Sequence, residues 1–277
     1  MTEQEWSIDV AELGLTDVVR DPRGIATARK GHVAVLLLDR PHRGNAFDTA
    51  MISALEEAWS MFAADPGVRS VVLASSTARL FATGRDVTEL AGLALPSPRE
   101  THAHDFAITA RRAGVWLPVV AAVEGLVMGA GLHFVLDSDL VVASSSAQFG
   151  DSHVNIGLAA GIEVVGLTER VGLGDALYLT LLGKDARMDA AWAQRAGLVQ
   201  EVVADGDAVS RALSLAERIA ANSPAAVART LQAGWETVSN PAGARAFAWQ
   251  LIQRQLLHPD AVEGPAAWVE KRTPRWQ

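Results

Sequence analysis

The 277-residue sequence has no cysteine, a single tyrosine and no apolar run that approaches the length of a membrane span. The lack of cysteine excludes disulfides, thiolate metal sites and cysteine nucleophiles. A transmembrane helix needs roughly 18 or more consecutive apolar residues, so we expect no membrane segment. Basic residues number 24 against 32 acidic ones, which gives a net charge of −8. Such a chain lacks the basic surface with which proteins bind nucleic acids non-specifically.

The composition is that of a folded protein with a large core, because 49% of the residues are hydrophobic and 20% are charged. Disordered chains have fewer hydrophobic residues and more net charge. Residues 1–6 (MTEQEW) are acidic and have neither the basic nor the apolar region of a signal peptide. We therefore expect a cytoplasmic location.

Short apolar runs alternate with helical patterns in the first two hundred residues. Four runs are typical of buried strands: residues 33–38, 70–74, 119–123 and 140–143. Between the first two, Trp59 and Phe62 lie on the apolar face of an amphipathic helix. Asp48 or Thr49 can cap the start of this helix, and residues 65–67 (DPG) end it. Alternating strands and helices predict the α/β fold class.

After about Val203 the strand signal ends and helical patterns follow. We predict four helices, in residues 207–222, 224–239, 241–257 and 260–271. Prolines stand near the starts of the last three, a position that proline favours. The chain is therefore divided into a core of residues 1–203 and a C-terminal helical region of residues 204–277. Four tryptophans give this region large apolar anchors for closing the core or for an oligomer interface.

Five segments carry the motifs of the sequence. They are residues 38–46 (LDRPHRGNA), 81–87 (FATGRDV), 122–131 (AVEGLVMGAG), 147–158 (AQFGDSHVNIGL) and 260–276 (DAVEGPAAWVEKRTPRW). In this order and spacing they resemble the crotonase, or enoyl-CoA hydratase/isomerase, superfamily. The resemblance implies an α/β spiral of β-β-α units followed by a helical oligomerisation region. It also implies an enzyme that stabilises the enolate of an acyl-CoA thioester.

The glycine-rich segment suits a site that handles a carbonyl group. Residues 132–136 predict a helix, so the amide of Ala130 lies at the positive end of its dipole. An amide there stabilises a thioester oxygen that gains negative charge. The resemblance implies a second backbone donor, which falls on Thr83. We therefore expect the N–H groups of Thr83 and Ala130 to form an oxyanion hole.

Hydratases of this family use two glutamates to hold water and protonate the α-carbon, and these positions match His133 and His153. Imidazoles both donate and accept hydrogen bonds, whereas ionised carboxylates only accept. We expect both histidines to transfer protons across one acyl pocket, with a neutral His133, and ordinary hydratase activity to be weak. Glu163 is interpreted either as the acid that orients His153 or as a solvated helix-end charge. Asp151 and Asn155 flank His153 and could supply hydrogen bonds.

Three other patterns are weaker. Two histidines and an acid suggest a metal, but neither site has the usual local ligand spacing, so we predict none. Residues 129–134 (GAGLHF) imitate a dinucleotide fingerprint in which phenylalanine replaces the third glycine. Residues 150–153 (GDSH) resemble a serine hydrolase block that in its own family stands near the N-terminus.

The resemblance implies coenzyme A as part of the substrate thioester, with no permanently bound cofactor. The matching positions are Ala82, Gly84, Arg85 and Asp86 for the adenine pocket, and His42 and Arg43 for the phosphates. Trp268 and Lys271 match an aromatic residue and a lysine that reach the CoA site of a neighbouring subunit in the family. We therefore expect a homotrimer or a dimer of trimers.

Two alternatives stay open at this stage. One is a crotonase-like hydrolase that cleaves a carbon–carbon bond in a β-dicarbonyl. The other is a CoA-binding protein without hydratase activity. The sequence does not identify the acyl group.

Overall fold

The computed structural model describes residues 6–90 and 107–277 of the chain. The strands in these residues are β1 (Thr16–Asp21), β2 (Ile25–Lys30), β3 (Val33–Leu38), β4 (Ser70–Ser75), β5 (Leu80–Ala82), β6 (Val119–Val123), β7 (Leu126–Met128), β8 (Leu140–Ser144), β9 (Gln148–Gly150), β10 (Met188–Asp189) and β11 (Glu201–Val203). The helices are α1 (Thr49–Ala64), α2 (Val87–Leu90), α3 (Leu132–Leu136), α4 (Gly161–Val171), α5 (Leu173–Leu182), α6 (Ala190–Ala196), α7 (Ala208–Ala220), α8 (Pro224–Ser239), α9 (Ala244–Leu256) and α10 (Asp260–Glu270).

The strands form two sheets. The larger has the order β1-β2-β3-β4-β6-β8-β11 and the smaller has the order β10-β9-β7-β5. The larger sheet is parallel from β3 to β11, while β1, β2 and β3 pair in antiparallel fashion. In the smaller sheet β5, β7 and β9 are parallel. Residues that follow β5, β7 and β9 therefore emerge at one edge, because parallel strands end on the same side.

Every residue of β3, β4 and β6 is buried, as expected for strands that are covered on both faces. One hydrophobic cluster packs α1 and α3 against this sheet. A second cluster covers the opposite face with α7. The proposed boundary after residue 203 stays a prediction, although the buried face of α7 belongs to the sheet's core.

The amphipathic helix predicted between the first two buried strands is confirmed as α1. Asp48 is its N-cap, since its carboxylate accepts a hydrogen bond of 2.9 Å from the Met51 N–H. Trp59 and Phe62 are buried, and Asp65 forms the C-cap. The four buried strands are also found where the apolar runs predict them. The four C-terminal helices begin and end within three residues of the predicted bounds.

Among the described residues, none of the helices is both long and apolar enough to cross a membrane. The first five residues of the acidic N-terminus lie outside the described part of the chain.

Candidate active site

Three short segments bring the candidate catalytic side chains together. Strand β7 leads into a 3-10 turn (Gly129–Gly131) and then α3, which carries His133. Strand β9 leads into a second 3-10 turn that begins at His153. Helix α4 begins at Gly161 and carries Glu163 in its first turn. Since β7 and β9 are parallel neighbours, the residues after them meet at one edge of the smaller sheet.

Glu163 is the centre of this cluster. Its Oε1 atom lies 2.9 Å from the Nε2 atom of His133 and 3.9 Å from the Nε2 atom of His153. The residue is 6% exposed. The interpretation of Glu163 as a solvated charge at a helix end is therefore wrong. The Nε2 atoms of both imidazoles face one carboxylate oxygen, and a shared acyl pocket at this cluster stays a prediction.

The charge of Glu163 follows from these contacts. Burial acts to raise the pKa of its carboxyl group, but the local contacts, of which the hydrogen bond from His133 is the largest, outweigh burial. The net effect is a pKa below the ordinary value of 4.5. Glu163 is therefore an ionised hydrogen-bond acceptor at neutral pH.

His153 forms a dyad with Asp151, which lies two residues earlier. The Nδ1 atom of His153 is 2.8 Å from Oδ2 of Asp151, and the backbone N–H of His153 donates to Oδ1 of the same carboxylate. The hydrogen bond to Asp151 raises the pKa of His153 above 6.5, against the opposing effect of burial. Asp151 has no exposed surface. The dyad leaves Nε2 of His153 directed towards Glu163.

Both ring nitrogens of His133 are engaged. Its Nδ1 atom lies 2.8 Å from Nη2 of Arg112, and its Nε2 atom faces Glu163. Arg112 was not identified from the sequence, because an arginine 21 residues earlier in a loop has no recognisable spacing. Asp137, which accepts a 2.9 Å bond from Nε of Arg112, was also missed. Its i,i+4 position relative to His133 is the signal that could have found it.

The expected oxyanion donor at Thr83 is wrong. Its backbone N–H donates to the carbonyl of Gly44 at 3.1 Å, and its side-chain hydroxyl donates to the same oxygen. The Ala130 amide lies beside Gly84, the residue that follows Thr83. A methyl group built on Gly84 would lie 2.9 Å from the Ala130 nitrogen, and Gly84 has a φ of +96°. Only glycine allows this close approach without strain.

The residues expected to line the adenine pocket have internal partners in the structure. Ala82 has no exposed surface. Arg85 pairs with Glu89 at 2.8 Å, so it is a neutralised rather than an added positive charge. Asp86 accepts bonds from Thr88 and Arg40, and these bonds hold the pKa of its carboxyl group well below the ordinary value of 3.8.

The residues expected to meet the CoA phosphates are more accessible to a ligand than those expected to line the adenine pocket. His42 and Arg43 are exposed on the 3-10 turn Pro41–Arg43, and Arg43 contacts Thr88.

Trp268 is 85% exposed on α10, and Lys271 caps the end of that helix with a φ of +56°. Their exposure is compatible with contact to a neighbouring subunit.

The side-chain oxygen of Asn155 bonds elsewhere than to His153. This oxygen accepts a 2.7 Å bond from the Lys184 N–H and so joins two 3-10 turns. Across residues 6–90 and 107–277, no three histidine or acidic side chains are grouped to hold a metal ion.

Two imidazoles, one ionised carboxylate and a nearby backbone amide define a site for acid–base chemistry beside a carbonyl group. The family model described as enoyl-CoA hydratase/isomerase matches residues 28–277. A probable enoyl-CoA hydratase of Rhizobium meliloti is 34% identical over 251 residues, which are 88% of this chain and 93% of that protein. An enoyl-CoA hydratase of Mycobacterium tuberculosis is 33% identical over 258 residues, which are 90% of this chain and 94% of that protein.

A solved structure gives the same result at the level of the fold. The enoyl-CoA hydratase/isomerase from Mycobacterium paratuberculosis matches with a TM-score of 0.82 and 34% identity, covering 92% of this chain and 98% of that one. The chain therefore belongs to the enoyl-CoA hydratase/isomerase family, and it is an acyl-CoA-processing enzyme with the crotonase fold.

Proposed function

We propose that the enzyme adds water to the double bond of an enoyl-CoA, with Glu163 and His153 as the groups that hold and activate the water. The observation that carries this proposal is that Glu163 places a carboxylate beside both histidines, although neither family glutamate is present. The sequence places histidines at both family glutamate positions, but Glu163 reaches between them from α4. The expectation of weak hydration rested on the absence of a carboxylate, and Glu163 removes that reason.

The spacing of the two acceptors suits one water molecule. The Oε1 atom of Glu163 and the Nε2 atom of His153 are 3.9 Å apart. An oxygen bonded to both at about 2.8 Å makes an angle of roughly 90° between its two bonds. Both hydrogens of the water then point at acceptors, so a lone pair is left to face the electrophilic β-carbon. His153 takes a proton from the water as the carbon–oxygen bond forms and the double-bond electrons move into the thioester enolate. The imidazolium of His153 then returns this proton to the α-carbon, which completes the addition of water.

The oxyanion hole is proposed to consist of the amides of Ala130 and Arg85. Phe47 pairs with Arg85 in a parallel bridge through the Gly84 carbonyl and the Asp86 N–H. In that pattern the N–H of the bridging residue, Arg85, points away from Phe47. The contact of Gly84 with Ala130 brings the two peptide segments together. Donors fixed in this way stabilise an enolate oxygen without reorganisation.

The remaining expectations also become proposals. Coenzyme A is bound as part of the substrate, with His42 and Arg43 at its phosphates. The proposed assembly is a homotrimer or a dimer of trimers in which Trp268 and Lys271 approach the neighbouring site. A cytoplasmic location stays a prediction from the sequence.

A second candidate function is hydrolysis of a β-dicarbonyl, because the Asp151–His153 dyad can activate water for attack on a carbonyl. Parallel assays separate the candidates: loss of the enoyl-CoA double bond, release of free CoA thiol, and cleavage of a β-diketone. Calorimetric titration with CoA separates all of them from a protein that only binds CoA. Hydration is expected to be the fastest of the reactions.

The decisive variants are His153→Gln and Glu163→Gln. Each is expected to lower kcat for hydration by roughly 10²–10⁴, as for the loss of a positioned acid–base group. The control is His32→Gln, which alters an exposed histidine and is expected to keep full activity. Brisk hydration of crotonyl-CoA by both site variants would contradict the proposal. Failure to bind CoA at millimolar concentration would remove the substrate class and favour the β-dicarbonyl.

A further inference from the structure

An arginine fixes the position of the proton on one of the two site histidines. Arg112 lies 2.8 Å from Nδ1 of His133, and a guanidinium group can donate hydrogen bonds but not accept them. Nδ1 must therefore present its lone pair to Arg112. The ring hydrogen of the neutral imidazole is then on Nε2, which faces Oε1 of Glu163 at 2.9 Å.

We propose that Arg112 is a positioning residue that sets the tautomer of His133 and thereby holds Glu163 as an aligned, ionised carboxylate. The inference rests on the proposed function of Glu163. His133 is then a fixed hydrogen-bond donor rather than the base expected from the sequence. Proton transfer falls to His153 and Glu163, whose facing atoms are both acceptors while His153 is neutral.

The opposite tautomer is incompatible with the observed geometry. With the hydrogen on Nδ1, the Nε2 lone pair would face a carboxylate oxygen at 2.9 Å, and the N–H would face the guanidinium. Glu163 would then have to take up a proton or turn away from His133. Either change alters the 3.9 Å spacing or the charge on which the water site depends.

Arg112 is itself fixed by a hydrogen bond to Asp137, at the end of helix α3, which carries His133. Its Nε atom donates to Oδ2 of Asp137 at 2.9 Å, and the Thr109 hydroxyl donates to the same oxygen. Asp137 caps the end of α3, since its N–H donates to the carbonyl of His133. One face of this helix turn therefore fixes both the guanidinium and the imidazole. Fixed second contacts of this kind orient functional histidines in many enzymes.

Within the described residues, the charged groups that face the two imidazoles are Arg112 and Glu163 for His133, and Asp151 and Glu163 for His153. The guanidinium of Arg112 can only donate, so its contact leaves Nδ1 of His133 as the acceptor in this pair. In the proposed mechanism His153 is therefore the imidazole that takes and returns the proton, while His133 acts as a hydrogen-bond donor to Glu163.

The test begins with a spectroscopic signature that needs no substrate. Long-range nitrogen–proton correlation spectra of the ¹⁵N-labelled enzyme, with His133 assigned through His133→Gln, are expected to show the Nε2–H tautomer. Arg112→Gln, whose amide can donate or accept, is expected to lose this single signature. Arg112→Lys keeps a group that can only donate and is expected to retain it.

Activity provides the second readout. Arg112→Gln is expected to lower kcat for hydration by roughly 10- to 100-fold with little change in KM, as loss of such an orienting partner does. Arg112→Lys is expected to recover most of that loss, and Arg195→Gln, at an exposed arginine, to change nothing. Circular dichroism and Tm measurements compare folding. If Arg112→Gln does not fold, the wild-type and Arg112→Lys spectra decide.

An Nδ1–H signature for His133 in the wild-type enzyme would overturn the inference. So would an Arg112→Gln variant that folds and keeps both the wild-type tautomer and kcat. Failure of the proposed function gives a different result: the tautomer is as expected, but the enzyme does not hydrate any enoyl-CoA.

Discussion

At the residue scale, His133 and His153, which match the two glutamate positions of the family in sequence, are proposed to have unequal roles. His153 has an acid partner two residues away and one nitrogen directed into the site. His133 has both nitrogens engaged, by Arg112 and Glu163. We therefore propose different roles for two identical side chains, because their hydrogen-bond partners differ.

The Asp151–His153 dyad predicts a change in pH dependence. Because the hydrogen bond to Asp151 raises the pKa of His153, the neutral base form is reached only at higher pH. Asp151→Asn removes the charge and lowers the pKa of His153. The acidic limb of the kcat/KM profile is therefore expected to move to lower pH, while the maximal rate falls because the imidazole is less basic.

The measurement is the pH profile of hydration for the wild type and Asp151→Asn. Asp185→Asn, at an exposed aspartate, is the control and is expected to keep the wild-type limb. An unchanged limb in Asp151→Asn, or a shift to higher pH, would show that another group controls the rate.

At the scale of elements, the proposed oxyanion hole depends on a close contact between Gly84, in the segment after β5, and Ala130, in the turn after β7. Gly84→Ala places a methyl group 2.9 Å from the Ala130 nitrogen and adds strain at a φ of +96°. We expect a loss of about 1–3 kcal/mol in the free energy of unfolding. We also expect kcat to fall by roughly 10²–10³, as when an oxyanion donor is lost.

Gly206→Ala separates strain from the loss of the donor. Gly206 has a φ of +90°, but no atom lies within 4 Å of the added methyl group. This variant is expected to lose stability while it keeps kcat. Urea unfolding and steady-state hydration measure the two effects, and equal kcat losses in both variants would argue against a specific role for the Gly84–Ala130 contact.

At the scale of the whole molecule, the C-terminal helices leave large apolar side chains uncovered. Leu257, Trp268 and Val269 are 88%, 85% and 78% exposed. Large apolar side chains exposed in this number often mark a surface that binds another protein. We expect light scattering at micromolar concentration to give the mass of a trimer or a hexamer.

Trp268→Ser is expected to weaken that assembly and to raise KM for the acyl-CoA. Val19→Ser, which changes an exposed apolar residue of β1, is expected to leave both unchanged. A wild-type monomer at this concentration would refute the assembly and the shared CoA site together.

The sequence predicted much of the fold because its signals are local. The apolar runs that became β3, β4, β6 and β8 are continuous, and Asp48 caps α1 from the adjacent residue. The C-terminal helices also follow local patterns, with proline at or near the starts of the last three. Local hydrogen bonding and side-chain periodicity decide such elements before any distant contact forms.

The sequence also pointed to His133 and His153 as candidate site residues, because the five motifs resemble the family in order and spacing. The tertiary structure decided which groups those histidines meet. Glu163 enters from α4, Arg112 arrives from a loop 21 residues before His133, and the Thr83 amide is taken by Gly44. These contacts join segments that are distant in sequence, so no local period or spacing encodes them. Strand pairing and helix packing bring these groups together. The same packing therefore decides the surroundings of Glu163, the proposed tautomer of His133 and the proposed water site.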